Sequence, residues 1–121
     1  MHPLVHLIDE TWIDRPVDDV AAAVAQPSNW AEWWPTLTLT VTRDRGLKGI
    51  QWSATGSMRG SVELWLEPVS SGVLLHHFLR LDPPAAERWS ARRVRRETRR
   101  LAWHAKRVFW QLKDNLEAGD G

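Results

Sequence analysis

The hydrophobic and polar positions of this chain alternate most strictly from Thr36 to Thr42, where every second residue is a threonine. A period of two predicts a β-strand with one buried face, so Leu37, Leu39 and Val41 are expected to point into the core. The same alternation recurs at residues 49–55, 62–67 and 73–81. Because the connections between these stretches are too short for parallel crossovers, the pattern predicts an antiparallel meander.

The first third of the chain predicts one more strand and two short helices. Residues 4–13 form the strand, which ends before Pro16 because proline lacks the amide hydrogen that a sheet requires. In residues 17–24, valine recurs at every third or fourth position, which is the spacing of one helix face. The segment 29–35 holds three tryptophans and predicts a second, very short helix that ends at Pro35.

The last third predicts one long amphipathic helix, because no glycine or proline occurs between Pro84 and Glu117. Its apolar positions recur every three to four residues and form one broad stripe, made of Leu101, Ala105, Val108, Phe109, Leu112 and Leu116. Trp103 and Trp110 fall on the opposite face. The residues before the stripe have little apolar content, so we expect the packed helix to begin near residues 95–100 and the preceding arginines to project or fray.

Composition narrows the class of protein. With 121 residues, of which 43% are hydrophobic and 26% charged, the chain is expected to fold as one domain spanning residues 1–121. The absence of cysteine excludes disulfides and thiolate metal sites. No apolar run approaches the roughly 18 residues of a membrane span, and no signal-peptide pattern is present, so we expect a cytoplasmic protein without stable membrane insertion. The net charge is +1, yet most of the basic charge follows residue 87.

The order of these elements resembles the helix-grip fold of the START-like (SRPBCC) superfamily, which includes plant pathogenesis-related allergens and bacterial polyketide cyclase/dehydrase-like proteins. The stretches that carry the resemblance are Ile13-Asp14-Arg15-Pro16-Val17, Pro27-Ser28-Asn29-Trp30 with Trp33 and Pro35, and Leu64-Trp65-Leu66-Glu67-Pro68 leading to Gly72. The resemblance implies an α+β fold in which an antiparallel sheet curves around the long C-terminal helix, with two short helices after the first strand. Superfamily members usually have seven strands, whereas this sequence predicts about five, so the chain is a shortened form.

The resemblance also implies a cavity for a small apolar ligand between the sheet and the last helix. Its walls would come from the inner strand positions, the tryptophans and the helix stripe, namely Trp33, Trp34, Trp52, Leu64, Leu66, Leu75, His77, Leu79, Val108, Phe109 and Leu112. The tryptophans either line this cavity or pack as ordinary core.

His77 is the best candidate for chemistry, because it is a single imidazole in an otherwise apolar alternating strand. It either orients a ligand hydroxyl or carbonyl, acts as a general base near neutral pH, or is simply hydrogen-bonded within the core. Asp9 and Glu10 point to opposite faces of the first strand, and one of them is either a semi-buried acid/base group or an edge residue in solvent. No residues are predicted to bind a metal or an organic cofactor, since His76 and His77 point apart and no phosphate-binding loop occurs.

Three functions fit these features. The first is binding of a hydrophobic or aromatic, lipid- or polyketide-like ligand, and the second is a polyketide cyclase or aromatase-type enzyme with an acid/base residue in the cavity. The third is a non-catalytic dimeric interaction module with a closed core. A homodimer would use the aromatic residues outside the core, namely Trp65, Phe78, Trp103 and Trp110.

The basic segment Arg88–Arg100 adds one open question. It either contacts phosphate groups, in lipid headgroups or in nucleic acid, or is a solvated extension of the helix. Nucleic acid is not predicted as a partner, because the net charge is close to zero and no recognition motif is present.

Overall fold

A computed structural model describes residues 3–119, and these form a five-stranded antiparallel sheet with three helices. The elements in chain order are β1 (Val5–Ile13), α1 (Val17–Val24), α2 (Pro27–Trp33), β2 (Leu37–Asp44), a short 3-10 helix (Gly46–Lys48), β3 (Gly49–Gly56), β4 (Arg59–Val69), β5 (Gly72–Asp82) and α3 (Ala91–Ala118). The predicted α+β plan is therefore confirmed, with five strands, two short helices after the first strand and one long last helix.

The strands lie in the order β1-β5-β4-β3-β2, so the first and last strands of the chain are neighbours. The register places His77 opposite Asp9 on one side and opposite Leu64 on the other. Cross-strand partners share a face, and this face is the inner one, since both His77 and Leu64 are about 1% exposed. The strand residues that form the inner core are Val5, Ile13, Ile50, Trp52, Ala54, Val62, Leu64, Leu66, Val73, Leu75, Leu79 and Leu81.

The helices cover the inner face unequally. α3 lies along β1, α1 lies against β3, β4 and β5, and α2 lies between α1 and α3. On the β1 side, two lysines of α3 donate hydrogen bonds to strand carbonyls, Lys106 to Glu10 at 3.4 Å and Lys113 to Trp12 at 2.8 Å. Leu37 and Leu39 of β2 are only half-buried, because this end of the sheet receives little cover.

The last helix begins before the packed part that was expected near residues 95–100, and its first turns are not frayed. α3 begins at Ala91, and the Ser90 hydroxyl accepts a hydrogen bond from the Arg93 amide at 3.1 Å, which is a regular N-cap. The arginine-rich turns are therefore helical, although Ala105 is the first helix residue that is fully buried. Side-chain propensity and the cap suffice for the helix in these turns. Val94 and Leu101 are partly buried against the core, so packing begins close to the expected position.

The predicted burial of Val41 is also wrong, since this side chain is 41% exposed. Val41 has the inner-face orientation expected from the alternation, with Trp52 as its cross-strand partner. The pairing of β2 with β3 shifts register between Val41 and Arg43, which marks a bulge at the open end of the sheet. A two-residue period predicts the face of a side chain, but burial also requires an element that covers the face.

Candidate functional site

The space between the sheet and α3 is filled by a group of rings that we call the inner aromatic cluster: Trp33, Trp34, Trp52, His77 and Phe109. Trp34 lies at its centre, with ring centroids 5.0 Å from Trp52, 5.8 Å from His77 and 5.7 Å from Trp33. Phe109 of α3 closes the cluster at 4.9 Å from His77. Most of these pairs are tilted or edge-on, the geometry that aromatic quadrupoles favour.

Hydrogen bonds from α2 hold the cluster in place. The Trp30 indole donates to the Val24 carbonyl at 2.7 Å, and the Asn29 amide donates to Ala23 at 2.8 Å, so α2 is fixed against the end of α1. His104 of α3 donates through Nε2 to the Trp33 carbonyl at 2.9 Å. The two tryptophans at the end of α2 are thereby positioned from both sides.

His77 has a defined protonation state because of its partner. The Trp34 indole N–H donates to His77 Nε2 at 3.2 Å, so Nε2 carries a lone pair rather than a proton. Burial, aided by the nearby His104, lowers the pKa of His77 from 6.5 to about 3. The neutral ring then carries its proton on Nδ1, and Nδ1 has no hydrogen-bond partner among residues 3–119.

Three other buried polar atoms of the described chain also have no partner: Trp52 Nε1, Thr11 Oγ1 and Asp9 Oδ2. Asp9 is half-satisfied, because its Oδ1 lies 2.7 Å from Lys106 Nζ. An unpaired buried donor costs about 1–3 kcal/mol, so such atoms are uncommon unless a water molecule or ligand pairs with them. The inner face thus presents two free N–H donors, on His77 and Trp52, within an aromatic environment.

A surface groove leads toward this cluster between α2 and α3. It has a volume of about 170 Å³ and is lined by Asn29, Glu32, Trp33, Arg107, Val108, Gln111, Leu112 and Asn115. Trp33 and Leu112 belong both to the groove and to the buried core. The groove is smaller than the roughly 300–1,000 Å³ of a typical small-molecule site, so a ligand larger than a few atoms requires these side chains to move.

The residues predicted to line a cavity fall into three groups. Trp33, Trp34, Trp52, His77 and Phe109 meet in the inner aromatic cluster. The four leucines, Leu64, Leu66, Leu75 and Leu79, form the buried inner wall of the sheet. Val108 and Leu112 lie at the groove, where Val108 is half-buried.

The sequence interpretation missed Thr11 and His104. Thr11 is 4% exposed on the inner face, and its inward position follows from Asp9 two residues earlier on β1. His104 lies next to the apolar stripe of α3, but its bond to the Trp33 carbonyl joins residues 71 positions apart. No local pattern in the sequence indicates such a contact.

The outer face of the sheet carries its own polar cluster. The His76 ring stacks on Trp65 with centroids 4.2 Å apart, and its two nitrogens lie 3.1 Å from Glu10 and 3.0 Å from Glu67. Trp65 is thereby half-buried within its own sheet, as is Phe78. The homodimer expected through these residues stays a prediction.

The lowered pKa of His77 predicts how the free energy of unfolding depends on pH. The unfolded chain protonates this histidine below about pH 6.5, whereas the folded chain does not until about pH 3. The stability that depends on the neutral ring is fully present above pH 6.5 and is lost as the pH falls toward 3. At about pH 4.5 the loss is on the order of 3 kcal/mol.

His77→Gln provides the measurement, since the glutamine oxygen still accepts the Trp34 N–H but does not titrate. Urea unfolding of both proteins at about pH 7 and pH 4.5 should show a decrease in stability that is smaller in the variant by about 3 kcal/mol. Equal decreases in the two proteins would mean that His77 is not the responsible group.

Comparison with known proteins bears on the fold. The crystal structure of DR_A0006 from Deinococcus radiodurans matches with a TM-score of 0.71 at 13% sequence identity, over 95% of this chain and 99% of that one. The solution structure of the Aha1 dimer from Colwellia psychrerythraea matches with a TM-score of 0.64 at 15% identity, over 97% and 99%. The crystal structure of the Zhui aromatase/cyclase from Streptomyces sp. R1128 matches with a TM-score of 0.60 at 12% identity, over 96% and 98%.

No protein-family model and no curated protein matches the sequence. At identities of 12–15% the structural matches establish the fold alone. The helix-grip fold that was expected from the resemblance to the START-like superfamily is confirmed.

Proposed function

We propose that this protein binds a small hydrophobic or aromatic molecule with an oxygen acceptor, between the sheet and α3. The observation that carries the proposal is the pair of unpaired N–H groups in the inner aromatic cluster, His77 Nδ1–H and Trp52 Nε1–H. Rings of such a ligand would pack against aromatic side chains, and its carbonyl or hydroxyl oxygen would accept from one or both donors. This pairing would remove an unsatisfied polar group on both molecules.

Access to the cluster is proposed through the groove between α2 and α3. Trp33, which belongs to the cluster, and Leu112 both line the groove, and both are nearly buried rather than fully enclosed, at 4% and 8% exposure. Movement of these two side chains would join the groove to the space around His77. The protein would then bind by displacing its own side chains rather than by filling an open cavity.

The matched structures add limited support. One of them is an aromatase/cyclase, so the helix-grip fold is compatible with a site for aromatic molecules. An enzymatic function of that type would need an acid or base in the interior. His77 fits this role poorly, because a pKa of about 3 makes the ring a weak base that carries no acidic proton to donate near neutral pH, and its Nε2 lone pair already accepts from Trp34. We therefore favour ligand binding over catalysis.

Two naphthalene probes that differ in one oxygen test the proposal. In 2-acetylnaphthalene a carbonyl can accept the His77 or Trp52 N–H, and in 2-ethylnaphthalene no acceptor is present. We expect the ketone to bind about tenfold more tightly, the difference that one additional hydrogen bond provides. Binding is measured by titrating each probe into ¹⁵N-labelled protein and following the indole N–H signals by NMR. The signals of Trp34 and Trp52 should shift.

Substitutions at His77 supply the matched control. His77→Phe removes the Nδ1–H donor and should reduce the preference for the ketone, whereas His77→Gln retains both an acceptor for Trp34 and a donor for the ligand. If the probes bind but shift only the signals of the exposed Trp103 and Trp110, the ligand lies on the surface and the proposed site is wrong. The same conclusion follows if neither probe binds at its solubility limit.

A further inference from the structure

The outer surface of α3 combines exposed tryptophans with arginines in a single row. We call this row the α3 outer stripe; it consists of Arg92, Arg96, Arg99, Trp103, Arg107 and Trp110. Successive members are separated by three or four residues, so all six project from the same side of the helix. Trp103 is 74% exposed and Trp110 is 55% exposed. At 1.5 Å per residue, the stripe extends for about 27 Å.

Several cations of this region have no acidic partner within residues 3–119. Arg93 and Arg100 pair with Glu87 and Glu97, and Lys106 pairs with Asp9. In contrast, Arg92, Arg95, Arg96 and Arg99 form no ion pair in the described part of the chain, and all four are exposed. Their charges are available to an anionic partner.

The charge of the protein is strongly segregated. α3 contains nine arginine or lysine residues and three acidic residues, which gives it a net charge of +6. The rest of the chain contains seven arginine or lysine residues and twelve acidic residues, which gives it a net charge of −5. An anionic surface would therefore attract α3 and repel most of the remaining molecule. The resulting field orients the protein with the α3 outer stripe toward that surface.

We propose that the α3 outer stripe docks on the surface of an anionic phospholipid bilayer. Arginines would contact lipid phosphates, while the two indole rings would enter the interfacial zone, which accepts tryptophan without a complementary pocket. A shallow hollow of about 180 Å³ beside Trp103, lined by Arg99, Ala102, Trp103 and Lys106, provides room for part of a lipid headgroup. Among residues 3–119 no helix is long and apolar enough to cross a membrane. The proposal concerns surface binding and does not depend on what the interior binds.

Other occupants fit the stripe less well. A second copy of α3 would bring two helices of charge +6 together, which is repulsive. Nucleic acid would contact the arginines, but Trp103 and Trp110 lie on the convex outer face of a helix, about 10 Å apart along the axis, whereas proteins that bind single strands hold them in a groove with stacked bases. A bilayer interface accommodates a convex aromatic ridge directly.

Vesicle flotation tests the proposal on the full chain. We use phosphatidylcholine vesicles with and without about 30% phosphatidylserine, at about 0.1 M salt. The protein should bind only the anionic vesicles, and Arg96→Glu/Arg99→Glu should lower the partition coefficient by at least about 25-fold, since each of the two arginines removed contributes about fivefold and the glutamates that replace them are repelled. Trp103→Ala/Trp110→Ala should lower it by about tenfold or more, because the apolar contact is lost.

A matched charge control separates docking by α3 from a general effect of net charge. Arg43→Glu/Lys48→Glu makes the same change in net charge at two exposed residues of another surface, and should alter binding by less than about threefold. Equal losses in the two charge variants would overturn the proposal. It would also be overturned if the tryptophan variant bound vesicles as well as the wild type, or if a single-stranded oligonucleotide displaced the vesicles at equal phosphate concentration.

Discussion

Replacing Phe109 by alanine is expected to lower the free energy of unfolding by about 3–5 kcal/mol. Phe109 is 1% exposed and is the ring through which α3 contacts the cluster, with centroids 5.3 Å from Trp33 and 4.9 Å from His77. Its removal leaves a cavity that the large neighbouring rings cannot fill without leaving their rotamers. Urea unfolding followed by far-UV circular dichroism at neutral pH measures the loss.

The adjacent residue provides the control. Trp110 is 55% exposed, and Lys106 Nζ lies 5.7 Å from the centroid of its ring, so Trp110→Ala should cost less than about 1 kcal/mol. Phe109→Leu should fall between the two alanine variants and remains measurable if Phe109→Ala does not fold. Similar losses for Phe109→Ala and Trp110→Ala would mean that the buried rings do not determine the stability of the helix–sheet interface.

Gly49→Ala is expected to cost about 4 kcal/mol or more, or to prevent folding. Gly49 begins β3 with φ of 115°, in a region that residues with side chains rarely adopt. A Cβ atom at this position would lie 1.9 Å from the Leu64 carbonyl oxygen, which belongs to the backbone of the neighbouring strand. Relief of the overlap requires β3 and β4 to separate where they are hydrogen-bonded.

Gly46→Ala, in the 3-10 helix just before β3, separates the steric clash of the added Cβ atom from the cost of a positive φ in a residue with a side chain. Gly46 also has a positive φ, of 60°, but a Cβ atom there has nothing within 4 Å. The substitution should cost only the roughly 1–2 kcal/mol of a left-handed residue with a side chain. Thermal unfolding and the soluble fraction on expression compare the two variants. If both lose the same stability, the close approach of Leu64 is not the cause.

The architecture could be predicted from the sequence because its determinants are local. Four of the five strands have a two-residue period, and the long helix has an apolar stripe that ends near a glycine. The apolar stripe predicts where α3 packs, whereas the helix itself begins earlier, at Ala91. Ser90 and the absence of helix breakers were sufficient, and both were visible in the sequence.

The interior was predicted less completely because its contacts are not local. The alternation identified His77 as the inward histidine of its pair, and its 1% exposure agrees. The bond from Trp34, 43 residues earlier, depends on how α2 meets the sheet and leaves no trace in the local pattern. This bond assigns the ring proton to Nδ1 and occupies the Nε2 lone pair, which disfavours the general base among the three alternatives for His77.

The open borders of the sheet affect how copies of this protein can associate. A free strand edge offers unpaired amides and carbonyls to any extended chain, which is a common route to aggregation. On β1, Lys106 and Lys113 already donate hydrogen bonds to the carbonyls of Glu10 and Trp12 along the edge. On β2, the register shift after Val41 interrupts the ladder that an incoming strand would extend. Both borders are thus protected against strand addition, and self-association is left to the faces of the molecule.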